Sequence, residues 1–382
     1  MTSVPPSNAS PCKYCKRPLS GATRKYLDLQ PLCIHELPPH GELARIHHKL
    51  DLNGNGSTLT LGGFLNSVLG ETLAVQWDDN SWTHHGTYPP EGKGVKVTMP
   101  PSPLSSSKQV SESSVPVDVD QRAKGPSGSA WLARRSLHSA KHVEYDELDT
   151  ILAQDHCRRE GDYDASVFDA NELLKWDTED LKKALSVLDL DWNITNVQMA
   201  IFQMFHEMPK VMGKSFMQDR VFHVLVITAH STYALPEQDK STTQRQSYTL
   251  QLPINFDSLR DVEAITRVSH IRPRSMIYEV KDQSGDGAGI TERQKKHKGK
   301  SLTEGAYVSV ERLRQAPDGP GNAEPMHRWD MMTKSDAKGI SRLAPSSTKR
   351  KETLDAISKD VQYVLDHIGK QRLARSPPDA AQ

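Results

Sequence analysis

RVFHVLVITAH, residues 220–230, divides into two faces: Val221, His223, Leu225 and Ile227 on one, Phe222, Val224, Val226 and Thr228 on the other. Both faces are mostly apolar. A strand in a half-solvated antiparallel sheet alternates apolar with polar residues, so this strand must be covered on both sides. What supplies the two covers decides the fold.

Further strand patterns stand at 130–138 (AWLARRSLH), 247–254 (SYTLQLPI), 306–314 (AYVSVERLR) and 326–334 (MHRWDMMTK). In 247–254, Tyr248, Leu250, Leu252 and Ile254 face one way and Thr249 and Gln251 the other, the pattern of a strand with one wet face. Helical spacing marks 62–75 (GGFLNSVLGETLAV) and the region Tyr145–Cys157. In NVQMAIFQMFHEM (196–208), Val197, Ala200, Ile201, Met204, Phe205 and Met208 also fit a helical stripe. At 351–369, Leu354, Ile357, Val361, Val364, Leu365 and Ile368 form one apolar stripe, with Gly369 where a C-terminal cap belongs. Several antiparallel strands followed by one amphipathic helix predict an α+β fold with the helix lying across the sheet.

Lys and Arg (48) balance Asp and Glu (48), which argues against a general nucleic-acid binder, so neither DNA nor RNA is expected as a partner. There is no apolar run of about 18 residues, the length that spans a bilayer. MTSVPPSNASPCKYC has no apolar core of a secretory signal, and the four cysteines are then expected as reduced thiols in the cytoplasm. Composition predicts a disordered N-terminal tail over 1–25 and a disordered C-terminal tail over 370–382. Between them, 26–369 reads as one domain with flexible insertions at 100–128 and 281–304.

Four local motifs are weighed against plainer readings. DLNGNGSTLTLG (51–62) places Asp51, Asn53, Asn55 and Gly56 as a calcium loop would, but Gly62 stands where the bidentate Glu belongs, so a turn is the better reading. Cys12-x-x-Cys15 with Cys33 and His35 offers a Cys3His donor set for zinc, yet the C-x-H spacing is tight and no metal is expected. SGDGAG (284–289) lacks the flanking strand and helix of a phosphate loop. The basic run at 293–300 reads first as a solvated loop, and second as a peripheral contact with anionic membrane.

One polar constellation lies on the strands themselves. Arg134, Ser136 and His138 share a face of 130–138; Tyr307, Ser309 and Glu311 share a face of 306–314. Either these groups point to solvent, or they are buried and must be paired, because an isolated buried charge costs several kcal/mol. In the second case an Arg134–Glu311 pair would orient a polar head group.

The chain resembles a fungal family of unknown function in the START-like (StAR-related lipid-transfer, helix-grip) superfamily. The pieces carrying the resemblance are LQPLCIHELPPH (29–40), W-x-x-R-R-S-L-H at Trp131–His138, VFDANELLKWD (167–177), HEMP (206–209) and RVFHVLVITA (220–229). YVSVERLR (307–314), RWDMMTKSDAKG (328–339) and the closing KDVQYVLDHI (359–368) complete it. The resemblance implies a curved antiparallel sheet wrapped around the long C-terminal helix, with a hydrophobic cavity between them. It implies a strand, not a helix, just before Pro209. It also implies binding, and intracellular transfer or sensing, of a lipid- or sterol-class ligand. Arg134, Ser136, His138, Leu225, Ile227, Ser309, Glu311, Val361 and Leu365 are the expected ligand-binding residues, with no catalytic residue and no cofactor. The alternatives are an enzyme on a hydrophobic substrate, with His138 or His223 as acid–base group, and a protein-interaction module without a ligand.

Overall fold

The structure, a computed structural model, describes residues 11–19, 24–50, 59–78, 80–88, 95–99, 111–122, 130–188, 193–208, 218–234, 243–281, 289–315, 325–336 and 346–375. The first strands and helices are α1 (Ala44–Lys49), α2 (Leu61–Leu73), β1 (Trp82–Tyr88), β2 (Val95–Met99), β3 (Ser111–Val115), β4 (Val117–Arg122) and β5 (Leu132–Ser139). Then come α3 (Tyr145–Leu152), α4 (His156–Tyr163), β6 (Val167–Lys175), α5 (Thr178–Leu185), β7 (Asn193–His206), β8 (Arg220–Ala234) and β9 (Thr243–Pro253). The rest are α6 (Glu263–Val268), α7 (Glu292–His297), β10 (Thr303–Arg314), β11 (Met326–Asp336) and α8 (Ser346–Arg375).

The result is a mixed α+β fold with one large, mostly antiparallel sheet, ordered β1-β4-β5-β11-β10-β9-β8-β7-β6, and a separate β2–β3 hairpin. The apolar stretch that opened the sequence is β8, held between β7 and β9, with Leu225 opposite Ile201 on one side and Leu252 on the other. β9 ends at Pro253, which has no N–H to continue the ladder. Beyond that point Thr303–Gly305 of β10 take its place beside Arg220–Phe222, in a short parallel pairing. Gly305 is required there, since a Cβ would collide with the Phe222 ring.

Both faces of β8 are covered. Leu225 and Ile227 pack with Leu250, Leu252, Val308 and Val310 under the N-terminal segment, including Leu32, Leu43 and the α2 residues Phe64 and Leu65. Val224 and Val226 face the other way, with Phe202, Met204 and Cys157 of α4. Farther along that second face, Val361, Val364, Leu365 and Ile368 of α8 pack on Val117, Val119 and Trp329 and on α3. Their spacing is the i, i+3, i+4, i+7 stripe of an amphipathic helix. Leu354, also expected on it, lies outside the described side chains.

Several expectations change. Residues 196–208 lie mostly in β7, as the family resemblance implied; sheet pairing overrides the helical stripe because Val197 to Phe205 are needed on both faces. The expected wet face of β9 is dry: Thr249 and Gln251 are buried, and the Thr249 hydroxyl donates to the Leu152 carbonyl at 2.7 Å. Within 100–128, β4 stands in the main sheet between β1 and β5, because Val117 and Val119 alternate with polar residues and are fully buried. The 281–304 insertion contains α7 and the start of β10, and buries His297 and Leu302. In the expected N-terminal tail Cys12 is fully buried. α8 runs through Gly369 and on to Arg375, so Gly369 is no cap; Arg372 ion-pairs with Glu147 of α3 in the expected C-terminal tail. Residues 51–58 of the calcium-like loop and 284–288 of SGDGAG lie outside the described residues. Among the described residues no helix is long and apolar enough to cross a membrane.

Candidate functional site

The period-two geometry of the strands puts one polar row beneath α3, α4 and α8. Register aligns Arg134 of β5 with Met331 of β11, Met331 with Glu311 of β10, and Glu311 with Thr249 of β9. Arg134 and Glu311 therefore flank Met331, and their side chains meet over it. The Arg134 Nη2 stands 3.6 Å from Glu311 Oε2, with the guanidinium 3.8 Å above the Trp329 ring. Trp329 Nε1 donates to the same carboxylate oxygen at 2.9 Å. Arg134 is only 2% exposed, which settles the choice left open by the sequence: the row is interior, and the charge is paired.

Around this pair the row extends toward α4. His156 Nε2 lies 3.9 Å from Glu311 Oε1 and 3.0 Å from the Gln251 side-chain nitrogen, while the Tyr307 hydroxyl donates to Gln251 Oε1. Burial pushes the Glu160 carboxyl well above the usual range. Asp360 of α8 is raised by burial, against the pull of Arg134, to about 7. Several polar atoms here have no hydrogen-bond partner among the described residues: Nε and Nη1 of Arg134, Nδ1 of His138, Oγ of Ser309 and Oε2 of Glu160. Buried polar atoms are ordinarily satisfied, so such a cluster is a feature to be explained.

The titration of Asp360 gives a test of this geometry. Its pKa is raised on folding, so the protonated form costs nothing below the unfolded value near 3.8 and stability is lost as pH rises toward about 7. Asp360→Asn removes that loss. The variant should match the parent in melting temperature at pH 4 and exceed it above pH 7, by a gap that widens through the interval. A constant gap across pH 4–8 would show that Asp360 is not desolvated.

Of the residues expected to bind ligand, the structure brings together Arg134, Ser136, His138, Ser309 and Glu311 on this face, with Val361 and Leu365 of α8 packed beside Trp329. Leu225 and Ile227 do not join them. They sit on the opposite face, under the N-terminal segment, because their parity in the sheet matches Val308 and Val310, not Ser309 and Glu311. His156, Gln251, Glu160, Asp360 and Trp329 belong to the constellation and were not anticipated. For Gln251 the signal is present, since it alternates with apolar neighbours, but such alternation ordinarily marks a solvent-facing residue.

The two acid–base candidates fare differently. His138 Nε2 and Ser136 Oγ are 2.8 Å apart, a hydroxyl–imidazole contact. Burial, followed by the nearby Arg134 charge, lowers the His138 pKa to about 3, which makes it a poor base at neutral pH. Its Nδ1 faces no carboxylate among the described residues to orient it. His223 lies on the Leu225 face, stacked on Phe256 at 4.1 Å and held between Gln203 (3.3 Å) and Glu304 (2.9 Å).

The basic run is a short helix whose charges are largely engaged. Lys295 pairs with Glu292, Lys296 with Glu207 and Lys300 with Asp219, and Arg293 donates to the Ala165 carbonyl. His297 is buried against Asp219 at 2.8 Å and stacks on Phe168 at 3.9 Å. The contacts of Arg293, Lys296 and His297 dock α7 on the β6 edge of the sheet.

Residues 131–368 match the model of the DUF3074 family, described as a protein of unknown function, and the chain belongs to that family. No curated protein matches the chain. Among solved structures, human STARD10 is similar with a TM-score of 0.37 and 10% identity, over 76% of this chain and 74% of that one. A likeness of that size carries no argument about fold or ligand.

Proposed function

We propose that the chain has a START-like helix-grip arrangement and binds a lipid- or sterol-class ligand between the sheet and α8, for carriage or sensing in the cytoplasm. One observation carries the reading: a buried, aromatic-flanked arginine retains two donor nitrogens, Nε and Nη1, without a hydrogen-bond partner among the described residues, beside the apolar stripe of α8. The unmatched Arg134 nitrogens can only donate. Donors then predominate among the unmatched atoms, so the ligand's head is rich in acceptors, a carboxylate or a cluster of oxygens. Val361, Leu365 and Trp329 supply apolar wall for its body. Ser309 and Glu311 complete the polar end.

Native mass spectrometry of the full chain purified from lipid-containing cells is expected to show a bound lipid. Replacing Arg134 and Glu311 together by Met removes the polar end and keeps the interior neutral, and should weaken binding of a fluorescent fatty acid by about tenfold or more, the value of a charged hydrogen bond. Absence of copurified lipid together with no uptake of fatty acid or sterol would favour the closed interaction module. An enzyme reading has only the Ser136–His138 contact in its favour, and the low His138 pKa stands against it.

A peripheral contact with anionic membrane through 293–300 is part of the same proposal. Replacing Lys295, Lys296 and Lys298 by Gln should weaken binding to anionic liposomes, with added salt acting in the same direction. Equal binding of both proteins to neutral and anionic liposomes rejects the contact.

A further inference from the structure

Away from the polar row, at the edge of the N-terminal cover, four metal-ligating side chains converge. Cys12 and Cys15 come from one turn; Cys33 and His35 come from the short 3-10 segment Ile34–Glu36 and the residue before it. One donor atom from each lies within 4.8 Å of all the others. Cys12 Sγ is 3.6 Å from Cys33 Sγ, and Cys15 Sγ is 4.0 Å from His35 Nδ1. On a tetrahedral zinc with Zn–S of about 2.3 Å, ligand atoms stand roughly 3.5–3.8 Å apart, so shifts of about 1 Å at most close the set.

The local backbone is built to the same end. Cys12 N–H donates to the Arg17 carbonyl at 2.7 Å, Lys16 N–H to the Cys12 carbonyl at 2.9 Å, and Pro11 bridges Pro18. Lys16 takes a positive φ of 62°, which folds the turn tightly after Cys15. That fold aims the N–H groups of Tyr14 and Cys15 at the Cys12 sulfur and that of Arg17 at the Cys15 sulfur. Such N–H···S contacts orient thiolate ligands, as outer partners do in metal sites generally. Cys12 and Cys33 are fully buried while Cys15 and His35 are half-buried, which leaves an open side for metal entry.

The tight C-x-H spacing that argued against a metal in the sequence is answered by the backbone. Residues 33 and 35 flank a single 3-10 turn, and that turn brings the His35 ring beside Cys15 instead of sending it away along an extended strand. We propose that Cys12, Cys15, Cys33 and His35 form a structural Cys3His zinc site that staples the 11–19 turn to the N-terminal cover of the sheet. Binding of Zn2+ to three thiols and a neutral imidazole releases three thiol protons and leaves a complex of net charge −1. Lys13, Lys16 and Arg17 lie in the same turn, with Lys13 also facing Asp261 and Arg17 paired with Glu36. Four protein ligands leave no open position, so the role is structural and not catalytic.

The test uses the full chain. Elemental analysis after purification without chelator is expected to find about one zinc per chain, and none after Cys12→Ser or Cys33→Ser; Cys157→Ser, at a buried cysteine elsewhere in the fold, should keep its zinc. Cobalt-substituted protein should show a thiolate-to-cobalt charge-transfer band and intense tetrahedral d–d bands. Should the buried-cysteine variants fail to fold, Cys15→Ser and His35→Ala at the open side, and stoichiometric zinc release on thiol modification of the parent, give the same reading. A parent that stays metal-free when refolded with excess zinc, a cobalt spectrum lacking the thiolate band, or a Cys12–Cys33 or Cys12–Cys15 disulfide in the unreduced protein each overturns the site.

Discussion

Leu225→Asp is expected to abolish cooperative folding. Leu225 is fully buried in β8, opposite Ile201 and Leu252, and its cluster continues into the N-terminal cover. Truncating a buried leucine costs about 2–5 kcal/mol from lost transfer and the cavity left behind. The aspartate adds a desolvated carboxylate without a partner, at several kcal/mol more. The sum rivals the roughly 5–15 kcal/mol that holds a domain together. Leu225→Ala is the control, and should unfold at lower urea concentration with a cooperative transition intact. A soluble Leu225→Asp protein with a sharp thermal transition would remove β8 from the centre of the fold.

The second large effect concerns the buried pair. Glu311→Leu leaves the Arg134 guanidinium without its counter-charge and the Trp329 N–H without its acceptor. Breaking a buried ion pair from one side costs about 3–5 kcal/mol. Arg134→Met leaves Glu311 with the Trp329 N–H and the more distant His156, and should cost a similar amount. The double variant Arg134→Met/Glu311→Leu has no stranded charge, and should recover most of the loss in urea unfolding while still failing to bind an acceptor-rich ligand. Additive losses in the double variant would mean that the two side chains are not coupled. Recovery of stability without recovery of binding would separate the pair's place in the fold from its use in recognition.

How much of this was legible in the sequence depended on what each residue had to reveal. The two apolar faces of 220–230 correctly demanded two covers, but the α8 stripe lies farther along the sheet, on Val117, Val119 and Trp329, and Val224 and Val226 meet Cys157 of α4 instead. Parity cannot say which face meets which cover, and so Leu225 and Ile227 were placed with Arg134 when they belong opposite it. Thr249 and Gln251 misled for a related reason: polar residues alternating with apolar ones normally mark solvent, but here they serve a buried polar row. Val117 and Val119 carried the strand signal of β4, hidden in a stretch whose Ser and Pro content resembled a linker. Glu160 and Asp360 left no trace, because their raised pKa comes from packing between α4, α8 and the sheet, which no local pattern encodes.

The pairing of β5 with β11 also sets the order in which the molecule can be built. β6 to β9 follow one another along the chain and can zip up as they leave the ribosome. β5 has its eventual neighbour β11 about 190 residues farther on. At a synthesis rate of about 5–20 residues per second, β5 waits roughly 10–40 s with one edge open. The third of the sheet made first is thus the last to be finished. During that interval it is the part of the nascent chain most exposed to unwanted strand pairing and most in need of a chaperone.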